Sequence, residues 1–365
     1  MLRILLVVLA LGVAVVGCSQ TTVEPVDPPV YDPTPFMLNL KGLPPPPGMP
    51  PDNPLTVQGV ALGKMLFHER QLSATGTQSC ADCHVQSAGF SDGRRYSVGV
   101  RGAEGTRQSM AIFNLAWRRP GPQGGFFWDG RSQQLRHQVL IPIQDPVEMD
   151  ADLDDIIARL QASEGYRNQW IRAFGTDSIT SRTLSLALEQ FLLSVVSGNT
   201  RFDRAQRGEL QLSPAEQRGR DLFFREVDPL RGIKGAECFH CHGGPQFTNN
   251  QFMNNGLDAE AGFADLGRFG VTQNPRDRAR FLSPTLRNIA LTAPYMHDGR
   301  FASLEEVIDH YNTGVRSSAT LELPLMQFNI RPGGLGLTPQ DRADLVAFLH
   351  TLTDDSLAVD ASYSP

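Results

Sequence analysis

Two five-residue runs hold most of the chemistry this chain can perform: Cys80-Ala81-Asp82-Cys83-His84 and Cys238-Phe239-His240-Cys241-His242. Two thiols at this spacing reach the two vinyl groups of one porphyrin, and the histidine that follows falls beneath its iron. Each run therefore reads as a c-type heme attachment motif. Thiol pairs at the same spacing also hold zinc or act as redox dithiols. Repetition favours heme, because four of the five cysteines lie in these two motifs. The reading is two covalently bound heme c groups on Cys80, Cys83, Cys238 and Cys241, with His84 and His242 as proximal iron ligands.

The fifth cysteine follows a basic start, Met1-Leu2-Arg3, and an apolar run from Ile4 to Gly17 that is too short to span a bilayer. Residues 1–17 are predicted to be a signal peptide. Val15-Val16-Gly17-Cys18 resembles the lipobox of bacterial lipoproteins, which implies a lipidated Cys18 and a periplasmic protein. Ser19 after the cysteine implies the outer-membrane leaflet. Residues 18–55 are proline-rich, including Pro44 to Pro47, and predict an extended tether whose Phe36 to Leu43 stretch can dock on the body. The lipid anchor is the only membrane contact expected. The chain has 365 residues, 41% of them hydrophobic, and a net charge of −6, enough for two ordinary domains. No Lys/Arg-rich run is present, so a nucleic-acid partner is not expected.

The repetition extends beyond the cysteines. Leu62-Gly63-Lys64-Met65-Leu66-Phe67 precedes the first motif and Arg218-Gly219-Arg220-Asp221-Leu222-Phe223 the second. Gly89-Phe90-Ser91 and Gln246-Phe247-Thr248 follow them. Further on, Ser109 to Ala116 leads to Trp128-Asp129-Gly130-Arg131, as Ser283 to Ala290 leads to His297-Asp298-Gly299-Arg300. So long a period indicates duplicated domains, not a solenoid.

Apolar residues at three- and four-residue spacing predict helices over 57–67, 152–160, 183–196 and 304–311. Ser303-Leu304-Glu305-Glu306 reads as a capping box, and Thr338-Pro339-Gln340-Asp341 opens a last helix in the same way. The expected fold is mainly α: two tandem cytochrome c-like heme domains with long loops and little strand. Their expected bounds are 56–205 for a peroxide-reacting half and 206–355 for an electron-storing half, with a tail over 356–365.

With Phe127 to Arg131, Gln138, Pro142, Glu148 and Pro294-Tyr295-Met296-His297-Asp298-Gly299 in place, the chain resembles the bacterial diheme cytochrome c peroxidase and MauG superfamily. The resemblance implies that H2O2 reacts at the N-terminal heme and that the C-terminal heme takes or stores electrons. It places Trp128 between them, and Glu148, Gln138 and Pro142 in the peroxide pocket, with Glu148 as the acid–base group. It also implies one Ca2+ near Gln108, Thr292 and Pro294, although the family's side-chain ligand is asparagine where Gln108 stands.

Within that superfamily, the internal repeat separates two branches. Fourteen residues on from His297 stands Tyr311, and fourteen on from Trp128 stands Pro142. Peroxidases of the His/Met type carry methionine at the first position, whereas MauG-type enzymes carry a ligating tyrosine. Proline cannot ligate, so the first heme is expected to be open and the second closed by Tyr311. The distal histidine of the peroxidases is also missing, since no histidine stands between His84 and His137. A phenolate stabilises oxidised iron. The resemblance to the MauG-like, MbnH-like branch thus implies peroxide-driven oxidation of a residue, a tryptophan, on a partner protein. Two alternatives remain open at this point: a cytochrome c peroxidase fed by a small redox protein as electron donor, and a non-enzymatic diheme electron carrier.

Overall fold

The computed structural model describes residues 28–118, 124–228 and 230–365. The expected signal segment and Cys18 lie outside them. Among the described residues no helix is long and apolar enough to cross a membrane.

The first half is built on α1 (Val57–Phe67), α2 (Leu153–Ala162), α3 (Glu164–Phe174) and α4 (Ser181–Ser194). Each starts where a side-chain oxygen takes up amide groups left free by the first turn, from Thr56, Asp152, Ser163 and Thr180. The second half repeats the scheme with α5 (Arg201–Gln206), α6 (Pro214–Phe223), α7 (Leu304–Asp309) and α8 (Pro339–His350). Ser213/Glu216, Ser303/Glu306 and Thr338/Asp341 are reciprocal capping boxes, as the spacing predicts for the last two. A short helix, α9 (Asp355–Val359), follows. Among the described residues, paired strand is confined to Phe252–Met253 with Phe281–Leu282.

The duplication is visible as repeated packing. In each half the helix that precedes the heme motif crosses a later one at a glycine. A Cβ on Gly63 of α1 would stand 2.0 Å from the Ala187 carbonyl of α4, and one on Gly219 of α6 would stand 1.9 Å from the Asp344 carbonyl of α8. Only glycine permits so close a crossing. Beside each crossing the same aromatic triangle recurs. Phe67 lies 5.2 Å from Phe191 and 6.3 Å from Phe90, while Phe223 lies 5.2 Å from Phe348 and 6.0 Å from Phe247.

Two large apolar cores, which do not follow chain order strictly, and a small third cluster of Val315, Leu321 and Met326 against Tyr311 result among the described residues. The first runs from Leu43 to Val196 and also takes in Leu357 and Tyr363 from the far end. Gln86 donates to the Leu357 and Asp360 carbonyls, and the Val196 amide donates to the Tyr363 hydroxyl. The stretch expected to be a tail is thus strapped onto the first half. Phe36, Leu38 and Leu40 of the proline-rich lead-in pack on the same core.

The halves meet around Ser197. Asn114 and Asn288, equivalent in the repeat and both in the left-handed region at φ 54° and 57°, bond to its backbone carbonyl and its hydroxyl respectively. Across the same seam Arg107 holds Asp265 through two bonds of 2.7 and 2.9 Å and Asp129 through one of 2.6 Å.

Candidate heme sites

Cys80 to Cys83 and Phe239 to His242 each form one helical turn, so both thiols and the histidine of a motif come from a single rigid piece of backbone. The Nδ1 of His84 lies 3.0 Å from the Phe90 carbonyl, and that of His242 lies 3.2 and 3.1 Å from the Phe247 and Pro284 carbonyls. Nδ1–H donation to a carbonyl fixes the tautomer and leaves Nε2 as a lone-pair donor, the arrangement an axial iron ligand needs. Burial lowers both histidines below their ordinary pKa, His242 to about 4, so both rings are neutral at pH 7.

No disulfide joins either thiol pair. Burial, reinforced by the partner thiol, raises Cys80 and Cys238 to about 12, and burial raises Cys83 and Cys241 to about 11. Such thiols are not redox-active thiolates. They suit thioether bonds, and with the preset histidines they fit heme c at both places.

Cys238, Cys241 and His242 open into a large, mostly apolar cavity that Tyr311 also lines. Tyr311 sits in a π-helical turn, His310–Gly314, that continues α7 in place of the regular helix expected through this residue. Single π turns inserted after an α-helix frequently mark functional sites, because they re-aim one side chain. Here three polar groups fix that turn. Asn255 donates to the Tyr311 hydroxyl at 3.1 Å, Asn329 donates to the Tyr311 carbonyl at 2.7 Å, and the His310 ring meets the Asn255 carbonyl at 3.2 Å. Burial raises the Tyr311 phenol, with Asn255 opposing. Met253, Met296 and Met326 line the same cavity, and Met296 Sδ also contacts the Asn255 amide at 3.5 Å. Nothing in the linear sequence singles out Asn255 or Asn329.

Trp128 is buried in the cavity wall, its indole donating to the Gln108 carbonyl at 2.8 Å and its own carbonyl accepting from Leu282 at 2.8 Å. Met110 shares that wall, and its backbone carbonyl bonds His84 of the first motif. Trp128 therefore shares the wall of the second cavity with Met110 of the first half. Gln108, Thr292 and Pro294 also line this cavity. The Thr292 and Pro294 carbonyls accept no hydrogen bond among the described residues, while the Gln108 side chain is engaged by Ser91 at 2.8 Å.

On the first side, Gln138 and Pro142 occupy consecutive single helical turns, Leu135–Gln138 and Ile141–Gln144, four residues apart. The Met149 amide returns to the Pro142 carbonyl at 3.2 Å, and the Ala74 amide ties the Met149 carbonyl to the heme-motif loop at 2.9 Å. Glu148 is held there half-buried, near enough to raise the Cys80 and Cys83 thiols by its charge. Burial and Asp145 push its own carboxyl above the usual range, against Arg131. The loop Tyr96–Arg101 is clamped rather than free: Val100 donates to the Glu148 carbonyl at 2.8 Å, and Gly99 packs on Val147.

Comparison with known proteins agrees with this geometry. A profile of the family described as di-haem cytochrome c peroxidase matches residues 57–211. The methylamine utilization protein MauG of Methylorubrum extorquens is 37% identical over 314 residues, covering 85% of this chain and 82% of that protein. The cytochrome c551 peroxidase of Nitrosomonas europaea is 33% identical over 298 residues, covering 80% and 79% respectively. Among solved structures, a MauG-like protein associated with microbial copper homeostasis superposes with a TM-score of 0.79 at 36% identity, covering 90% of this chain and 99% of that one. The chain belongs to the diheme cytochrome c peroxidase and MauG family, and is a heme c oxidoreductase that uses hydrogen peroxide.

Proposed function

We propose that this enzyme spends peroxide on a partner protein, reducing H2O2 at the His84 site, sharing the oxidising equivalents with the His242 site, and oxidising a tryptophan of the partner. One observation carries the reading. The phenol of Tyr311 stands in the cavity of the second attachment motif, held by Asn255 and by a π turn. A phenolate there favours the oxidised metal, which suits storage of oxidising equivalents rather than acceptance of electrons from a small cytochrome.

Heme c at both sites would supply the redox chemistry with peroxide. Glu148 is the group that takes the proton from one peroxide oxygen and returns it to the other, with Gln138 beside it and Pro142 shaping the pocket. Burial and Asp145 raise its pKa, which makes the protonated form easier to reach than for a free glutamate. Trp128 carries charge between the sites, its N–H fixed on Gln108. One Ca2+ would be held by the Gln108 side-chain oxygen and the carbonyls of Thr292 and Pro294, oxygen donors that suit a hard cation. The protein acts in the periplasm, anchored through lipidated Cys18.

The test is low-temperature EPR of the oxidised protein before and after one equivalent of peroxide. The reading expects one high-spin and one low-spin ferric signal, both lost on addition. A low-spin spectrum of His/Met type at the second site, with rapid turnover of reduced cytochrome c, would replace it with the detoxifying peroxidase. Two six-coordinate signals unaffected by peroxide would leave only an electron carrier.

A further inference from the structure

Two arginines line the second cavity, and they differ in one respect. Arg287 is neutralised by Asp203 through bonds of 2.7 and 2.9 Å and donates to the Pro245 carbonyl at 2.7 Å. Arg118, contributed by the first half, meets no carboxylate among the described residues. Its contacts are one long bond of 3.4 Å to the Gly125 carbonyl and the Phe126 ring, 6.0 Å from its Cζ. The residues that follow it, Arg119-Pro120-Gly121-Pro122-Gln123, carry no acid either. Burial lowers the guanidinium to about 10, a shift no neighbouring charge opposes.

A half-buried cation that meets no counter-charge among the described residues is costly to hold there, so such a group marks a place where a bound anion completes the structure. The cavity it faces fits a porphyrin tied through its vinyl edge to Cys238 and Cys241. The edge opposite the vinyls carries two propionate carboxylates, which must then point away from those cysteines. A guanidinium matches a carboxylate with two parallel hydrogen bonds, which the Gly125 carbonyl cannot offer.

We propose that Arg118 is the charge partner of a propionate of the heme attached at Cys238 and Cys241, reaching it from the opposite half of the chain. The proposal rests on heme c occupying that cavity. Arg118 is a positioning residue in this scheme: it bonds the rim of the cofactor, fixes the second heme against the first half, and offsets a negative charge beside the iron. Compensation of a propionate favours the reduced metal, opposing the pull of the Tyr311 oxygen.

The experiment compares wild type, Arg118→Gln and Arg118→Lys as holoproteins. Heme is first counted by pyridine hemochrome, and each heme is then titrated potentiometrically with EPR detection. In Arg118→Gln the ferrous-to-ferric ratio of the second heme at fixed potential should fall about tenfold, equivalent to about 59 mV for one electron. Arg118→Lys should restore most of it, and the first heme should stay within about twofold. With two hemes present, an unchanged second heme, or a shift confined to the first, overturns the proposal. Wild-type protein lacking the second heme would instead overturn the occupancy on which it rests. If Arg118→Gln fails to load heme, wild type decides through infrared difference spectra with isotope-labelled propionates. A propionate that remains ionised as pH falls through the ordinary carboxylate range supports the pair, and one that titrates within that range refutes it.

Discussion

Replacing Glu148 by glutamine separates the shape of the peroxide pocket from its proton chemistry. The amide keeps the size of the side chain but cannot accept and return a proton. A positioned acid–base group contributes about 10²–10⁴-fold, so the second-order rate of the ferric protein with H2O2 should fall by that factor, about 2.7–5.4 kcal/mol of barrier. The pH dependence carries a sign. Glu148 acts first as the carboxylate, so the wild-type rate should rise with pH through a pKa above the usual Glu range and then level, whereas the variant should lack that limb. Asp145→Asn removes a charge that helps raise the carboxyl and should move the limb to lower pH; Arg131→Gln should move it higher.

Stability gives an independent check on the same residue. Because burial raises the folded-state pKa of Glu148, the unfolded chain releases this proton more readily, and ionisation costs stability above the ordinary Glu value of about 4.3. Glu148→Gln should therefore be at least as stable as wild type at neutral pH, the advantage vanishing in acid. Stopped-flow Soret spectroscopy with peroxide and urea unfolding followed by circular dichroism measure the two effects. An unchanged peroxide rate refutes the reasoning, and so does a slow rate accompanied by lost stability, which would make Glu148 a structural acid.

Tyr311→Phe should open the second site and abolish the two-heme oxidised state seen by EPR, while Tyr311→Met, with methionine where the phenol stood, should give a low-spin spectrum of His/Met type. Trp128→Phe removes the bond to the Gln108 carbonyl; it should cost about 1–2 kcal/mol of stability and slow the response of the second heme to peroxide, leaving the first heme's own reaction within about twofold. Gly219→Ala sets a methyl group against the Asp344 carbonyl, and the crossing of α6 and α8 should lose about 1–3 kcal/mol or more in thermal unfolding. Burial would raise Asp265, but its pair with Arg107 outweighs this and lowers it. The seam between the halves should therefore hold fully above the ordinary Asp pKa of about 3.9 and weaken as pH falls through the lower folded value, and Asp265→Asn should remove that acid limb from the unfolding profile.

The heme motifs, the duplication and the capped helices were legible because each is local: a spacing, a repeated string, or a side-chain oxygen just before an apolar stripe. Helix 57–67 and the boxes at Ser303 and Thr338 appear where their residues imply. Alignment of the two halves, read together with the family resemblance, also picked out Tyr311. What stayed hidden depends on residues far apart in the chain. Asn255 reaches Tyr311 from a loop 56 positions earlier, and Asn329 grips its carbonyl from 18 positions later. Neither leaves a periodic trace. The π turn escaped for the same reason, since its apolar spacing up to Tyr311 is that of an ordinary helix and long-range bonds shift the register. Arg118 could not be distinguished from its neighbour Arg119, because being without an acid is a property of the surroundings. The last residues read as a tail because two apolar side chains, Leu357 and Tyr363, are too few to signal a core they complete from a distance.

That strap bears on how the protein matures. In a chain that folds from its amino end, Cys80 and Cys83 are present long before Leu357 and Tyr363 arrive to seal the neighbouring hydrophobic surface. During that interval the first motif stays open to heme attachment, and the first core closes only when the strap docks.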